Sequence, residues 1–105
     1  MPRKRYRVEI TKRAEHDVVT CKNFIARDKP KAAAKWARTA YTEMRSLRYF
    51  PMRNEVIPEA HEIEYPYRHI VFGNYRIIYK VEEYVVTVVR VIQAGRLLHH
   101  RLFSE

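Results

Sequence analysis

Cysteine and glycine are both scarce in this chain of 105 residues, which contains one cysteine and two glycines. A lone cysteine cannot form an internal disulfide, which favours a reducing compartment, so we expect the protein in the cytoplasm. With two glycines and five prolines, most of the chain should form helices and strands. No apolar run approaches the roughly 20 residues of a membrane-spanning helix, and no apolar signal core follows the basic start.

Residue patterns that bind metals or cofactors are also missing. The five histidines do not show the spacing of zinc ligands, and the neighbours His99 and His100 are poorly placed to bind one ion. The two glycines lie too far apart for a phosphate-binding loop, and no Ser/His/Asp set can be identified. The sequence therefore predicts neither a metal site nor a cofactor.

Positive charge, in contrast, is abundant. Lys and Arg number 21 against 12 Asp and Glu, which gives a formal net charge of +9. This balance favours an anionic partner, such as nucleic acid, an acidic protein or a membrane surface. A soluble domain with a charged coat is the plain alternative. The length and a hydrophobic fraction of 47% predict one ordered domain that spans residues 1–105.

The first half of the chain predicts a strand and two helices. Residues 6–10 alternate between apolar and polar side chains, as in a half-exposed strand. Thr11 can cap the following helix, and residues 28–30 end that helix, with Pro30 in the first turn of the second. The apolar stripes are Ala14, Val18, Cys21 and Ile25 in the first helix, and Ala33, Trp36, Ala37, Ala40, Met44 and Leu47 in the second. The two helices should form a hairpin.

The last third of the chain predicts three strands. Residues 67–72 and 75–81 flank the pair Gly73-Asn74, which is a strong turn signal for a β-hairpin. Residues 84–92 are β-branched and almost wholly apolar, as expected of a strand that is covered on both faces.

Residues 51–66 contain the one acidic stretch of the chain, with glutamates at positions 55, 59, 62 and 64. This stretch has no clear period, so we predict a loop with a short strand near residues 61–65. The element order is then β-α-α-β-β-β. Helices early in the chain and antiparallel strands late indicate an α+β fold.

The predicted hairpin has two distinct faces. A two-residue turn pairs residue 72 with 75, 71 with 76 and 69 with 78. One face is predicted to belong to the core, and it carries Ile70, Phe72, Tyr75, Ile77, Tyr79 and Val81. The other face is cationic and aromatic, with Tyr67, His69, Val71, Arg76, Ile78 and Lys80.

The position of Arg76 decides how the second face is interpreted. An exposed Arg76 would suit an anionic partner, and the tail could extend this positive surface through Arg96, His99, His100 and Arg101. Alternatively, Arg76 pairs with a carboxylate from the 55–64 loop, and the tail is simply solvated. An Arg76 that is sealed inside the protein would contradict the interpretation as an anion-binding face.

Several stretches of the chain resemble the ParE/RelE superfamily of toxins. Residues 73–81 read Gly-Asn-Tyr-Arg-Ile-Ile-Tyr-Lys-Val and resemble its G-x-Y-R-I-I-Y-x-V hairpin. Residues 88–92 and 95–98 are similar to its last strand and tail, and residues 6–17 and 30–36 are similar to the ParE helical hairpin. The resemblance spans nearly the whole chain. It implies an N-terminal strand and a helical hairpin packed on a curved antiparallel sheet.

The resemblance also implies a function. The protein would be the growth-inhibiting toxin of a bacterial type II toxin–antitoxin system, kept silent by a cognate antitoxin. Such antitoxins wrap an acidic, partly disordered segment around the toxin, which fits the charge of +9. Operator DNA would be contacted through the antitoxin, and no membrane partner is implied. The pattern is closer to ParE, which implies binding to DNA gyrase without chemistry of its own.

A RelE-like endoribonuclease that cleaves mRNA on the ribosome is the alternative, and a basic domain without toxicity is a third. For the ribonuclease, the catalytic residues would be Arg76, Arg96, Arg101 and His99. Two family positions differ, because Leu97 stands where an arginine is expected and Phe103 where a tyrosine is expected. The residues expected to bind the target or nucleic acid are Arg68, His69, Arg76, Lys80, Arg96 and His100.

Overall fold

The computed structural model describes residues 4–96, which form four strands and three α-helices. In chain order these are β1 (Arg7–Ile10), α1 (Lys12–Ala26), α2 (Pro30–Ser46), α3 (Ala60–Ile63), β2 (Arg68–Phe72), β3 (Tyr75–Glu82) and β4 (Val85–Gln93). A short 3₁₀ turn at Pro51–Arg53 follows α2. The predicted order of one strand, two helices and three strands is confirmed, with α3 as an addition.

Helix α1 begins where the sequence predicts. Oγ1 of Thr11 accepts a hydrogen bond of 3.1 Å from the backbone N–H of Ala14, which satisfies one of the free donors of the first turn. Within the predicted stripe, Ala14 and Val18 are buried, whereas Cys21 and Ile25 are half-buried. After a short connection, Pro30 occupies the first turn of α2, where its missing N–H would have no partner.

Helix α2 contacts both α1 and the sheet. The small side chains of Ala33 and Ala40 are fully buried, and the two helices lie against each other along the hairpin. The ring of Trp36 lies 5.9 Å from that of Phe72 and 4.9 Å from that of Tyr75, measured between centroids. None of the helices in residues 4–96 combines the length and apolarity that a bilayer crossing requires.

The four strands form a mixed sheet in the order β1-β4-β3-β2. The pairs β2–β3 and β3–β4 are antiparallel, as predicted. Strand β1 runs parallel to β4, from Arg7 beside Val85 to Ile10 beside Val88, so the purely antiparallel sheet that the resemblance implies is corrected at this edge. The long chain between the two strands supplies the crossover that a parallel pair requires. It also leaves β4 in the centre of the sheet.

The hairpin of β2 and β3 has the predicted register. Phe72 pairs with Tyr75, and Val71 pairs with Arg76. Gly73 adopts a φ of +54°, a left-handed conformation that glycine accepts because it has no Cβ. The turn therefore determines which side chains of the hairpin share a face.

A bulge interrupts the pairing of β3 with β4. Successive residues of β3 pair with Arg90 and Val88, so Val89 between them has no partner residue. A bulge of this kind shifts the alternation of side chains along the strand. As a result, Val88 and Val91 both belong to the core beneath the helices.

The main core lies between the helical hairpin and the sheet. Its buried side chains are Ala14, Val18, Met44, Leu47, Ile70, Ile77, Tyr79, Val86, Val88 and Val91. The apolar face predicted for the β2–β3 hairpin is thereby confirmed. The one hydroxyl in this core belongs to Tyr79, which donates to the carbonyl of Pro51 and accepts from Nδ2 of Asn54. Burial raises the pKa of Tyr79.

The prediction of a short strand near residues 61–65 is wrong, because Ala60–Ile63 forms helix α3. Ala60 and Ile63 lie three residues apart on one side of this helical turn, and Ile57 precedes it, with its carbonyl accepting a hydrogen bond of 3.1 Å from the N–H of Ala60. All three belong to a small core on the second face of the sheet. Burial of these apolar side chains explains why a helical turn forms here.

Candidate functional site

Residues 55–64, which we call the acidic segment, cover the sheet face opposite the helices. Ile57 and Ile63 of this segment pack on Ile78 and Ile92 of the sheet, and none of the four is more than 6% exposed. This small core excludes water from the face that the sequence analysis expects to be cationic and accessible. That expectation is wrong for the centre of the face, and the positive charges there have internal partners.

Arg76 is buried beneath the acidic segment and paired with Glu59. Its guanidinium donates to the two carboxylate oxygens at 2.8 and 3.0 Å, in the bidentate geometry that these groups favour. Arg76 is 4% exposed and Glu59 is 7% exposed. The exposed position predicted for Arg76 is wrong, and the alternative of a pair with the 55–64 loop is what the structure contains. Without Glu59, a guanidinium under an apolar cover would carry a large desolvation cost.

Arg68 and His69 also hold the acidic segment in place. Nη1 of Arg68 donates to the carbonyl oxygens of Asn54 at 2.6 Å and of Met52 at 3.3 Å. Nε2 of His69 lies 3.2 Å from Oε1 of Glu55, and His69 is only 6% exposed. An accessible His69 is therefore a second incorrect expectation. Both residues contact the protein itself in this structure.

Among the predicted site residues within 4–96, Lys80 and Arg96 retain access to solvent, as does Arg68, which is half-buried with its guanidinium bonded to backbone carbonyls. The side chain of Lys80 is 30% exposed, with Nζ 3.4 Å from a carboxylate oxygen of Glu82. Arg96 is exposed. The predicted positions Leu97, His99, His100, Arg101 and Phe103 lie outside the described residues. The structure thus divides the predicted set into residues that hold the acidic segment and residues that stay accessible.

A second buried ion pair lies on the helix face of the sheet. Nε and Nη2 of Arg90 donate to the carboxylate of Asp17 at 2.7 and 3.0 Å. The same carboxylate accepts the backbone N–H of Val91 at 2.9 Å. Because β1 pairs with β4 only as far as Val88, the Val91 N–H needs another acceptor. Asp17 supplies that acceptor and joins α1 to the central strand.

Sequence reasoning missed this pair, although a signal was present. Asp17 follows Ala14 by three residues and precedes Cys21 by four, so it lies on the apolar stripe of the first helix. Arg90 is the one charged residue in the apolar run 84–92. A carboxylate and a guanidinium that each interrupt an apolar surface predict a buried pair.

Cys21 lies next to Asp17 and Arg90. Burial raises the pKa of the thiol to about 11, with a further increase from the negative charge of Asp17 and a decrease from Arg90. The thiol is therefore protonated and weakly nucleophilic at neutral pH. Among residues 4–96, no group of three or more His, Cys, Asp or Glu side chains is placed to hold a metal ion.

The arrangement of strands and helices is shared with chains from two toxin–antitoxin complexes. A chain from the chromosomal ParDE system of P. aeruginosa has a TM-score of 0.70 and 11% identity, and the match covers 88% of this chain and 99% of that one. A chain from the RelBE2 toxin–antitoxin complex of Mycobacterium tuberculosis has a TM-score of 0.57 and 20% identity, over 87% and 94% of the two chains. At these identities, the similarity shows the α+β fold alone.

The sequence itself identifies the family. The profile of the family described as "ParE toxin of type II toxin-antitoxin system, parDE" matches residues 8–98. This match covers most of the chain, so the chain belongs to the ParE toxin family, and the resemblance seen in the sequence is confirmed. A search of curated protein sequences finds no significant match.

Proposed function

We propose that this protein is the toxin of a type II toxin–antitoxin pair and that it inhibits growth by binding DNA gyrase. The observation that carries the proposal is the match to the ParE family over residues 8–98. The position of Arg76 supports binding over catalysis. Its guanidinium is paired with Glu59 and shielded from water, so contact with an RNA phosphate would first require that pair to break.

A cognate antitoxin is the second proposed partner. The net charge of +9 would attract an acidic segment and speed its association. Helix α1 also presents Val19 and Phe24, which are 53% and 57% exposed. A segment that is disordered when free could fold over these apolar side chains and bury them.

Arg96 is the residue we propose for contact with the target. It borders a cavity of about 230 Å³ between α1 and the end of β4, together with Phe24, Cys21 and Tyr75. An accessible arginine beside an exposed aromatic ring is the combination that contributes most strongly to many protein interfaces. Lys80, on the second face of the sheet, is a further accessible candidate.

A gyrase supercoiling assay with the purified protein tests this proposal. The unmodified protein should inhibit supercoiling, and Arg96→Glu should raise the concentration for half-inhibition roughly tenfold, which corresponds to about 1.4 kcal/mol of binding free energy. Arg13→Glu is the matched control, because Arg13 is also exposed but lies in the first turn of α1, at the opposite end of the helix from Phe24. Inhibition by the control should equal that of the unmodified protein.

Uninhibited gyrase at every protein concentration would contradict the proposed target. Induction of the gene in cells would then separate the remaining possibilities. New mRNA 5′ ends on translating ribosomes would favour the RelE-like ribonuclease, and normal growth would favour a domain without toxicity. Co-expression with an acidic product of a neighbouring gene should restore growth if the protein is a toxin with a cognate antitoxin.

A further inference from the structure

A basic cleft lies along the free edge of β1, at the opposite end of the sheet from β2. We call it the arginine cleft. Its volume is about 480 Å³, and it is lined by Arg5, Tyr6, Arg7, Val8, Arg45 and Arg48. These residues take no part in the two buried ion pairs or in the contacts of the acidic segment.

The arginine cleft concentrates positive charge without an internal counter-charge for most of it. Arg7 lies 3.1 Å from a carboxylate oxygen of Glu9. Within residues 4–96, the structure records no carboxylate partner for Arg5, Arg45 or Arg48. Guanidinium groups that share a cleft repel one another, so an external anion would lower the electrostatic energy there.

A backbone hydrogen bond holds the two walls of the arginine cleft together. The N–H of Tyr6 donates to the carbonyl oxygen of Arg48 at 2.8 Å, which ties the start of β1 to the residues that follow α2. The N–H of Arg7 donates to the carbonyl of Tyr84 at 2.9 Å. Because backbone directions alternate along a strand, the N–H of Val8 faces the free edge, where the cleft lies. This N–H adds a neutral donor to the guanidinium groups.

Tyr6 lines the arginine cleft, and the ring of Tyr84 lies beside it, just outside the lining. The rings of Tyr6 and Tyr84 lie 5.3 Å apart between centroids, and Nζ of Lys4 lies 4.9 Å from the centroid of Tyr84. Tyr84 is 50% exposed. A carboxylate-rich peptide has no bases to stack on this ring, whereas a single strand has one base for each phosphate. A positive groove beside an exposed aromatic side chain is typical of proteins that bind single-stranded nucleic acid.

We propose that the arginine cleft binds the phosphodiester backbone of a single-stranded nucleic acid and that Tyr84 stacks on one of its bases. The guanidinium groups of Arg5, Arg45 and Arg48 contact the phosphates, and planar guanidinium forks match phosphate oxygens well. This inference goes beyond the binding of gyrase, because it concerns a different surface and does not depend on which target the toxin has.

Fluorescence anisotropy with a labelled single strand of about 12 nucleotides tests the cleft. In the double variant Arg45→Gln/Arg48→Gln, two exposed charges are removed, so folding should be preserved. We expect binding to weaken roughly tenfold or more, and the slope of log K against log salt to fall in magnitude by about 1.4, since each single-strand phosphate contact contributes about 0.7. The same measurement with a DNA strand and with an RNA strand shows which of the two nucleic acids binds more tightly.

The matched control is Arg13→Gln/Arg27→Gln, which removes the same charge from exposed positions in and just after α1. Its affinity should change less than about twofold, because distant surface charges are screened. If the control variant loses as much affinity as the cleft variant, the binding is a general attraction to a basic protein, and the inference is overturned.

The stacking contact has its own test. Tyr84→Leu keeps an apolar side chain but removes the ring, and it should weaken binding of the oligonucleotide roughly tenfold. Binding of an inorganic polyphosphate chain, which has no bases, should be unchanged. Duplex DNA that binds as tightly as the single strand would contradict the role of Tyr84.

Two further results bear on the choice of ligand. A peptide of alternating Asp and Glu that binds more tightly than the oligonucleotide, and that is equally sensitive to the loss of Arg45 and Arg48, would assign the arginine cleft to an acidic protein instead. Gyrase inhibition is measured separately. A protein that inhibits gyrase but does not bind the oligonucleotide would overturn this inference alone and leave the proposed target intact.

Discussion

Each face of the sheet buries one arginine against one carboxylate, but the two carboxylates are supported very differently. Asp17 is part of the 15-residue helix α1, which contributes to the main core. Glu59 directly precedes the four-residue helix α3, within the acidic segment. The carboxylate of Asp17 also accepts a backbone hydrogen bond from β4, whereas Nε of Arg76 has no hydrogen-bond partner among residues 4–96. The Asp17–Arg90 pair is therefore held rigidly by the main core, whereas the Glu59–Arg76 pair depends on the short acidic segment.

The different anchoring of the two ion pairs affects how easily each region opens locally, as well as the total stability of the protein. The acidic segment is anchored by a few apolar side chains, among them Ile57 and Ile63, and by its polar contacts with β2 and β3. Regions with few buried apolar contacts open at a lower free-energy cost than the main core. We therefore expect the acidic segment to move away from the sheet without unfolding α1. Such an opening would expose Arg76 to solvent.

The largest expected effect is on the rigid face. Asp17→Asn leaves the buried Arg90 without a counter-charge, and removal of one partner from a buried pair typically costs about 3–5 kcal/mol. Urea denaturation should show this loss in the free energy of unfolding. Asp28→Asn is the control, because Asp28 is exposed, and its effect should stay within about 0.5 kcal/mol. A cost for Asp17→Asn as small as that of the control would contradict a supporting role for this pair.

A smaller loss is expected on the opposite face. Glu59→Gln weakens a hydrogen bond to a charged group, which we expect to cost about 1.5–3 kcal/mol, because opening of the acidic segment lets water reach Arg76. Hydrogen exchange should accelerate for residues 54–65 and remain unchanged in α1. The exposed Glu62→Gln provides the control within the same segment. The comparison fails if exchange in α1 accelerates as much as exchange in the acidic segment.

The smallest effect on stability involves Cys21, beside the rigid pair. Its folded pKa of about 11 lies above the roughly 8.5 of a free thiol, so folding favours the protonated form. This contribution is complete below the unfolded pKa and is lost as pH rises toward 11. At about pH 8, alkylation of the native thiol should be on the order of 100-fold slower than in the urea-unfolded protein, because the thiolate fraction is lower. Equal rates in the two states would contradict the raised pKa.

Local elements of the fold were predictable from the sequence because they depend on neighbouring residues. The cap at Thr11, the break before Pro30 and the turn at Gly73 each follow from the chemistry of one or two residues. The parallel pairing of β1 with β4 is different, since it joins strands from distant parts of the chain. Alternation in β1 reveals a strand but does not indicate which neighbour it has or in which direction.

The candidate site was predictable only in part, for a related reason. The register of the hairpin correctly places Arg76 on the face opposite the main core, but alternation does not say what covers that face. The cover comes from Ile57 and Ile63 in a stretch without clear period, so a cationic surface was expected where a second small core exists. The pair of Asp17 with Arg90 could have been found, because both residues interrupt apolar stripes.

The parallel pairing of β1 with β4 has a consequence for the order of events during translation. Strand β1 cannot pair with β4 until β4 has left the ribosome, although β1 emerges long before it. Non-local pairings of this kind form late, whereas a helical hairpin can form early. We therefore expect each newly made molecule to pass through an interval in which the helical hairpin has formed and the sheet is still incomplete. A partner that recognises the helical hairpin could bind the chain during that interval, before the sheet is complete.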